Sequence, residues 1–343
     1  MKALYLKGHG GLDQLEYGEL PTPEPAADEV LLRVKAAALN YLDLWTVRKV
    51  PGLTLRFPHI PGNDMAGVVE KTGSLVTHIK PGDEVVVAPG VGCGLCVDCA
   101  SGNDQLCRYY FVYGYQRNGG LAQYAVVRGN QLRKKPEAMG WPEAASASLV
   151  FLTAWHMISS RARLVPGETC LVMAAGSGVG IAALQIARLF GARVIATAGS
   201  DAKLARAREL GAHETINYRE AEWPKRVRDL TLGRGVDVVI EHTGEDYFES
   251  CVSCLAKNGR LVTCGATSGP RAQFDLRLLF ARHLNLLGSY MSSRAEFHKV
   301  WDMLEAGRLS PVVDSVYPLS GGRAAFERMQ SRESFGKLVL IPE

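Results

Sequence analysis

The spacing of apolar and polar residues divides the chain into two parts with different predicted structure. Up to about residue 132, short apolar segments of strand character alternate with turns rich in glycine and proline. This pattern predicts a small β-rich domain with few helices. The predicted strands are residues 2–7, 29–39, 67–73, 83–88 and 121–128.

Strand and helix patterns alternate in the second part of the chain. Residues 169–198 have the pattern of a strand, a glycine turn, an amphipathic helix and a second strand. Further strands are predicted at 213–218, 236–241, 259–266 and 285–290, each separated from the next by a helical pattern. Six strands connected in this way predict a doubly wound parallel sheet, so we expect an α/β protein.

We expect three segments along the chain. The β-rich domain occupies 1–132, the doubly wound domain occupies 133–290, and a C-terminal segment of mixed pattern occupies 291–343. The last segment ends in a strand-like run at 337–342.

Charge and hydropathy exclude several classes of protein. The 343 residues include 39 basic and 35 acidic side chains, without a basic stripe interleaved with aromatics, so no nucleic-acid partner is expected. Lys2 and Lys7 interrupt the N-terminus, which leaves no apolar core for a signal peptide. The apolar runs are too short to span a membrane. We therefore expect a cytoplasmic protein with reduced thiols.

Four of the 8 cysteines lie in one loop, residues 92–107. Their spacing, with two, two and seven residues between successive thiols, is typical of a zinc site. In a reducing compartment a bound metal is expected rather than disulfides. The predicted ligands are Cys93, Cys96, Cys99 and Cys107.

The glycine turn at 174–180, AAGSGVG, stands between an apolar strand and a helix. Small residues there allow a tight turn and a close approach to a pyrophosphate, which then faces the helix N-terminus. The turn therefore predicts a nicotinamide dinucleotide site. The predicted contacts are Ala175, Gly176, Ser177, Gly178, Val179 and Gly180.

The residues after the second strand of this domain favour NADP over NAD. An acidic residue at this position would bind the adenosine ribose and repel a 2′-phosphate, and none is present. Ser200 and Lys203 lie in its place, and Tyr218 and Arg219 add a stacking face and a second cation. The alternative is that Lys203 is a solvated helix residue and Asp201 a helix cap.

These features, with the stretches at 61–69, 152–155, 216–220 and 236–244, resemble the medium-chain dehydrogenase/reductase superfamily. That superfamily includes the zinc alcohol dehydrogenases and the quinone oxidoreductases. The resemblance implies a GroES-like first domain, a Rossmann second domain and a C-terminal segment that returns to the first. It also implies a cofactor contact from Thr153 and assembly into a homodimer or homotetramer.

The cysteine loop matches the structural zinc lobe of this superfamily at all four ligand positions. Four thiolates also complete a tetrahedral zinc and leave no coordination position for substrate. One structural zinc per chain is therefore expected.

The resemblance also shows where a catalytic zinc would bind. Asn40 stands where the zinc alcohol dehydrogenases have a ligand cysteine, and Asn63 stands where they have a ligand histidine. The third ligand position falls near 148–155, which contains no metal-binding side chain before His156. Neutral amides bind zinc poorly, so no catalytic zinc is expected.

Without a Lewis acid, the favoured substrate is a quinone or an α,β-unsaturated carbonyl. Conjugation spreads the charge that arrives with hydride, and a hydrogen bond can stabilise the resulting anion. Asn40 and Asn63 are the predicted amide donors, and Asp43 either orients Asn40 or caps a turn. Three aromatic residues form either an apolar substrate pocket or core: Tyr41, Trp45 and Phe151.

Three alternatives remain open from sequence. One is an NAD(P)-dependent alcohol dehydrogenase of the zinc-containing family. A second is a rebuilt metal site that uses His59, Asp64 and His156. The third is a non-catalytic NADPH-binding protein.

Overall fold

The computed structural model describes all residues, 1–343, and the chain forms two compact units. The first unit contains Met1–Leu149 and Ser292–Glu343, and the second contains Val150–Met291. No helix in either unit combines the length and apolar character that crossing a membrane requires.

The strands are β1 Lys2–Leu6, β2 Leu15–Glu19, β3 Glu29–Ala38, β4 Asp64–Thr72, β5 Glu84–Val87, β6 Gly90–Val91, β7 Phe111–Val112, β8 Tyr124–Arg128, β9 Leu132–Lys134, β10 Thr169–Val172, β11 Arg193–Ala198, β12 Glu214–Asn217, β13 Val236–Glu241, β14 Leu255–Thr263, β15 Asn285–Gly288, β16 Val313–Pro318 and β17 Lys337–Ile341. The helices are α1 Tyr41–Arg48, α2 Val97–Ala100, α3 Trp141–Ala145, α4 Ser148–Trp155, α5 Gly178–Leu189, α6 Asp201–Glu209, α7 Trp223–Leu230, α8 Glu245–Ser253, α9 Leu276–Ala281, α10 Arg294–Glu305 and α11 Gly322–Ser331. A π-helical segment, His156–Ala162, follows α4 directly.

The first unit is built on a seven-stranded sheet in the order β16-β17-β3-β4-β5-β9, with β8 also paired to β3. The long central strand β3 is buried over most of its length, with Arg33 its only exposed residue, as expected for a strand at the centre of a sheet that covers a core. Strand β17, close to the C-terminus, pairs antiparallel with β3 at Val339 and Ala38. The C-terminal strand therefore lies beside the end of β3 that leads into Asn40.

The second unit contains six parallel strands in the order β12-β11-β10-β13-β14-β15, which confirms the predicted doubly wound sheet. The strand order reverses between β10 and β13. In sheets of this kind, ligands bind beyond the carboxyl ends of the strands at such a reversal. The glycine turn at 174–180 follows β10 and therefore lies at this position.

The observed boundary between the units differs from the expected one. Residues 133–149 were expected at the start of the doubly wound domain, but they belong to the first unit. Strand β9 pairs antiparallel with β5, which fixes Arg133 and Lys134 to the first sheet. The N–H of Leu149 also donates a hydrogen bond of 2.8 Å to the Asp64 carboxylate. Hydrogen bonds of the first unit therefore extend to the beginning of α4.

Candidate functional site

The four cysteines of the 92–107 loop converge into one cluster. Their sulfur atoms all lie within 4.8 Å of one another, and none forms a disulfide. A tetrahedral zinc with bonds of about 2.3 Å separates its sulfur ligands by roughly 3.8 Å. The 4.0 Å distance between the sulfurs of Cys93 and Cys99 is close to that value. The donor set and its geometry fit a zinc ion.

The backbone of the loop is shaped to bring these sulfurs together. The N–H groups of Cys93 and Tyr109 each donate to the Cys107 sulfur at 3.3 Å, which fixes this sulfur in the cluster. A Cβ atom at Gly92 would lie 2.8 Å from the Cys99 sulfur, so this position requires glycine. The loop is anchored to the rest of its unit by Asp104, whose carboxylate accepts the Arg294 N–H at 2.9 Å.

The glycine turn has the geometry of an anion-binding loop. Ser177 caps α5, and its hydroxyl oxygen accepts the Gly180 N–H at 2.9 Å. A Cβ atom at Gly180 would lie 2.3 Å from the Ala174 carbonyl oxygen, so only glycine fits. The Gly178 and Val179 N–H groups lie in the first helical turn, where no intrahelical acceptor exists, and they are suited to bind a phosphate.

A hydrogen bond joins the ends of the two strands at the reversal of the sheet. The Ser177 hydroxyl lies 2.8 Å from Nε2 of His242, the residue that follows β13. Because the hydroxyl oxygen already accepts from Gly180, its proton is available for His242 Nε2. Burial lowers the pKa of His242, which favours this neutral acceptor form. Sequence reasoning did not identify His242.

Glu241, the last residue of β13, is a second feature that the sequence reasoning missed. It is fully buried, and its carboxylate accepts hydrogen bonds from the Thr243 and Gly244 backbone and from the Thr243 and Thr263 hydroxyls. These bonds fix the turn after β13 and connect it to β14. The signal in the sequence was an acidic residue directly after the apolar run Val238–Ile240.

The residues predicted to select the cofactor surround the end of β11. A Cβ atom at Gly199 would lie 3.1 Å from both the Tyr218 hydroxyl and Nε of Arg219. Ser200 is the N-cap residue of α6, and Lys203 follows within its first turn. The structure therefore brings Tyr218 and Arg219 to the segment that leads into Ser200. Thr153, predicted as a further cofactor contact, is buried in α4.

In the first unit, Asn40 belongs to a buried polar cluster with Asp64 and Lys337. Asn40 Nδ2 donates to the Asp64 carboxylate at 2.9 Å, and Asn40 Oδ1 accepts from the Lys337 ammonium. The Lys337 nitrogen also lies 3.1 Å from the same Asp64 oxygen. All three residues are at most 5% exposed. We call these three residues the Asn40–Asp64–Lys337 cluster.

Asp43 and Asn63 lie next to this cluster. Asp43 accepts hydrogen bonds of 2.8 Å from the backbone N–H groups of Asn40 and Gly62, so it fixes the backbone on both sides of the cluster. Burial raises the pKa of Asp43 to about 7, although these two bonds oppose that shift. Asn63 donates its amide to the Tyr113 carbonyl at 2.8 Å, and its buried Oδ1 has no partner.

Lys337 and the hydrogen-bonding role of Asp64 were not predicted from sequence. Lys337 is 297 residues from Asn40 along the chain, and only the pairing of β17 with β3 brings them together. The available signal was a lysine at the first position of an apolar C-terminal strand.

Two other groups of predicted residues have different surroundings. Phe151 is 1% exposed and belongs to the core, whereas Tyr41 and Trp45 are partly exposed and form an edge-on ring contact. His59 Nε2 lies 3.2 Å from the Gly114 carbonyl oxygen, so His59 has a local structural partner. The four-cysteine cluster is the one group of three or more metal-binding side chains whose ligand atoms converge.

Comparison with known proteins agrees with this architecture. Residues 26–137 match the alcohol dehydrogenase GroES-like domain, and residues 178–306 match the zinc-binding dehydrogenase family. A crotonyl-CoA reductase of Streptomyces avermitilis is 33% identical over 94% of this chain and 82% of its own length. A quinone oxidoreductase of Salmonella typhimurium is 30% identical over 97% of both chains. The crystal structure of an NAD-dependent alcohol dehydrogenase is 46% identical, with a TM-score of 0.97 over 99% of both chains.

The GroES-like unit and the dinucleotide-binding sheet define an NAD(P)H-dependent oxidoreductase. The chain belongs to the medium-chain dehydrogenase/reductase superfamily, as its resemblance to that superfamily predicted.

Proposed function

We propose that the protein reduces a quinone or an α,β-unsaturated carbonyl with NADPH and holds one structural zinc in the 92–107 lobe. The substrate is a small molecule, and assembly into a homodimer or homotetramer stays a prediction. The observation that supports this proposal most directly is the Asn40–Asp64–Lys337 cluster. The cluster presents an amide beside a fixed ammonium where a metal-dependent dehydrogenase would need metal ligands.

The cluster does not suit a catalytic zinc. One Asp64 oxygen accepts the Leu149 N–H, and the other accepts from Asn40 and Lys337. Asn40 Oδ1 is committed to the Lys337 ammonium. A divalent cation would have to displace these bonds and approach a buried positive charge, which is unfavourable in a low-dielectric interior.

Reduction of a conjugated carbonyl requires only a hydrogen-bond donor from the protein beside the substrate oxygen. A nicotinamide cofactor held by the glycine turn at 174–180 would supply hydride for the β-carbon of such a substrate, and negative charge would then develop on the carbonyl oxygen. Asn40 can donate its second Nδ2–H to that oxygen, since only one amide proton is used by Asp64. The resulting enolate then takes a proton from solvent at its α-carbon. With a quinone, the anion is protonated on oxygen.

The second unit supplies the dinucleotide site. The loop at 174–180 suits the pyrophosphate, and the Ser200, Lys203, Tyr218 and Arg219 set suits the 2′-phosphate of NADPH. The backbone N–H groups of Gly178 and Val179 are suited to bind the pyrophosphate, and the Ser177–His242 hydrogen bond orients the loop.

A substrate panel with metal analysis tests the proposal. Purified protein should contain about one zinc per chain. It should oxidise NADPH with benzoquinone or enones at rates at least about tenfold above those of any alcohol oxidation under matched conditions. Two zincs per chain, together with chelator-sensitive alcohol oxidation, would refute it. Cofactor binding without turnover on the panel would instead support the non-catalytic alternative.

The second candidate function is an NAD-dependent alcohol dehydrogenase. It is favoured by the 46% identity with a crystal structure described by that activity. Faster turnover with NADH and a primary or secondary alcohol or its carbonyl product would support this candidate over the first.

We expect the cofactor preference to depend on the cations beside Ser200. A Lys203→Glu, Arg219→Glu double variant should lower the NADPH-to-NADH ratio of kcat/KM at least about tenfold, because two carboxylates would repel the 2′-phosphate. The matched control, Lys257→Glu with Arg271→Glu, makes the same charge change at exposed residues of the second unit. An unchanged ratio in the first variant, or a wild-type preference for NADH, would contradict the NADPH assignment.

The raised pKa of Asp43 predicts a pH-dependent stability. The folded protein holds the Asp43 proton up to a pKa of about 7, whereas an unperturbed carboxyl loses it near 3.8. The contribution of Asp43 to the free energy of unfolding therefore decreases between about pH 4 and pH 7 and is constant above pH 7.

The Tm of wild type minus the Tm of Asp43→Asn should be roughly 5 °C lower at pH 8 than at pH 5. Thermal unfolding of both proteins across this range measures the change, with the exposed-site variant Asp229→Asn as control. A Tm difference that is the same at both pH values would count against a raised pKa of Asp43.

A further inference from the structure

Lys337 is the feature of the candidate site that the known chemistry of the fold does not explain. Its side chain is 5% exposed, and its ammonium contacts Asp64 at 3.1 Å and Asn40 Oδ1. A salt bridge alone would need only the carboxylate. Burial of an ammonium is unfavourable unless the ammonium is paired and hydrogen-bonded, so the contact with Asn40 contributes to holding the charge in place.

The hydrogen bonds of Asn40 determine the orientation of its amide. Oδ1 faces the ammonium and one Nδ2–H faces the carboxylate, which leaves a single N–H for a ligand. A rotation of the amide by 180° would place Nδ2–H against the ammonium and Oδ1 against the carboxylate. Both contacts would then be repulsive, so the pair of charges selects one orientation.

We propose that Lys337 is a positioning residue for hydride transfer. Its ammonium locks Asn40 with one N–H directed to the substrate oxygen, and polarises that amide so that it binds the developing oxyanion more strongly. This inference rests on the proposed function. In this arrangement an oriented amide N–H, rather than a metal ion, would stabilise the oxyanion.

A structural role alone makes a different prediction. If Lys337 only stabilises β17 against β3, its loss lowers stability and reduces turnover of all substrates by the same factor. If it acts on the oxyanion through Asn40, the loss must be greater for substrates that stabilise their own anion poorly. An enone is such a substrate, whereas the anion of a quinone is already spread over an aromatic ring.

The test compares three variants with wild type, using NADPH with benzoquinone and with a simple enone. Lys337→Met with Asp64→Asn removes both charges together, because removal of one partner from a buried pair can prevent folding. Lys337→Arg retains the charge. Lys135→Met is the matched control, because Lys135 is also 5% exposed and pairs with Glu84 at 3.1 Å, outside the cluster.

We expect the double variant to lower kcat for the enone about a hundredfold and for the quinone about tenfold, with the Kd for NADPH within about twofold of wild type. Lys337→Arg should restore at least part of the kcat for the enone. Lys135→Met should leave the kcat for the enone and for the quinone close to wild type. Equal losses with both substrates, or no loss, would overturn the role of Lys337.

The proposed function is judged separately, on wild type alone. A wild-type protein that reduces neither substrate fails the proposed function, whatever the variants do. If the double variant does not fold, Lys337→Gln with Asp64→Asn replaces it, because this pair also removes both charges but keeps polar groups beside Asn40. Equal losses with the enone and the quinone would then overturn the proposal.

Discussion

Replacement of Cys96 by serine should reduce the zinc content from about one per chain to nearly none and lower Tm by about 10 °C. The four sulfurs lie within 4.8 Å of one another, and a hydroxyl is a poor substitute for a thiolate ligand of zinc. Because the four cysteines would fill all four positions of a tetrahedral zinc, the loss should appear in stability before it appears in substrate preference.

Val97→Ser is the control for this experiment. Val97 is the next residue in the same lobe and is 79% exposed, so its replacement should change neither zinc content nor Tm appreciably. Metal analysis and thermal unfolding of both variants measure the effect. A Cys96→Ser protein that keeps one zinc and the wild-type Tm would show that the lobe does not hold the metal. A shift in substrate preference at wild-type stability would argue for a zinc with a catalytic role.

The parts of the fold with strong local periodicity could be predicted from sequence. Residues 236–241 form β13 as expected, because a short apolar run between a glycine turn and a helix has few other structures available. Helix α1 was not predicted. It has 8 residues and only weak amphipathic character, and its start depends on the Asp43 carboxylate that accepts the Asn40 N–H.

The candidate site could be predicted only in part, for a related reason. Asn40 and Asn63 could be found because they stand at positions where zinc alcohol dehydrogenases have metal ligands, and Asp43 could be found from its spacing to Asn40. Lys337 lies outside the stretches that resemble the superfamily, and its contact with Asn40 depends on the register of β17 against β3. Register is set by the packing of the whole sheet, and a local pattern contains too little information to specify it.

The orientation of the Asn40 and Asn63 side-chain amides could not be predicted from the sequence either. Both Asn40 and Asn63 were expected to donate to the substrate. Asn63 is fully buried, donates one amide proton to the Tyr113 carbonyl and has an unpartnered Oδ1. Its role as a donor to the substrate stays a prediction. A buried amide is oriented by its hydrogen-bond partners, and those partners come from distant segments.

Gly180→Ala should abolish measurable cofactor binding or weaken it at least about a hundredfold. An added Cβ atom would lie 2.3 Å from the Ala174 carbonyl oxygen and 2.8 Å from the Ala175 Cα, a clash that backbone movement alone can relieve. Movement of the loop would break the bond from the Gly180 N–H to the Ser177 hydroxyl and displace the amides suited to the pyrophosphate. Equilibrium titration with NADPH, followed by fluorescence or calorimetry, measures the change.

Gly288→Ala is the matched control, since it makes the same substitution in the same unit where no atom lies within 4 Å of the added Cβ. Its Kd for NADPH should stay within about twofold of wild type. If Gly180→Ala binds NADPH with wild-type affinity, the glycine turn cannot be the pyrophosphate site. If both variants lose binding equally, the loss reflects the sensitivity of the whole sheet to added methyl groups. Loss in Gly180→Ala alone assigns cofactor binding to the turn at the carboxyl end of β10.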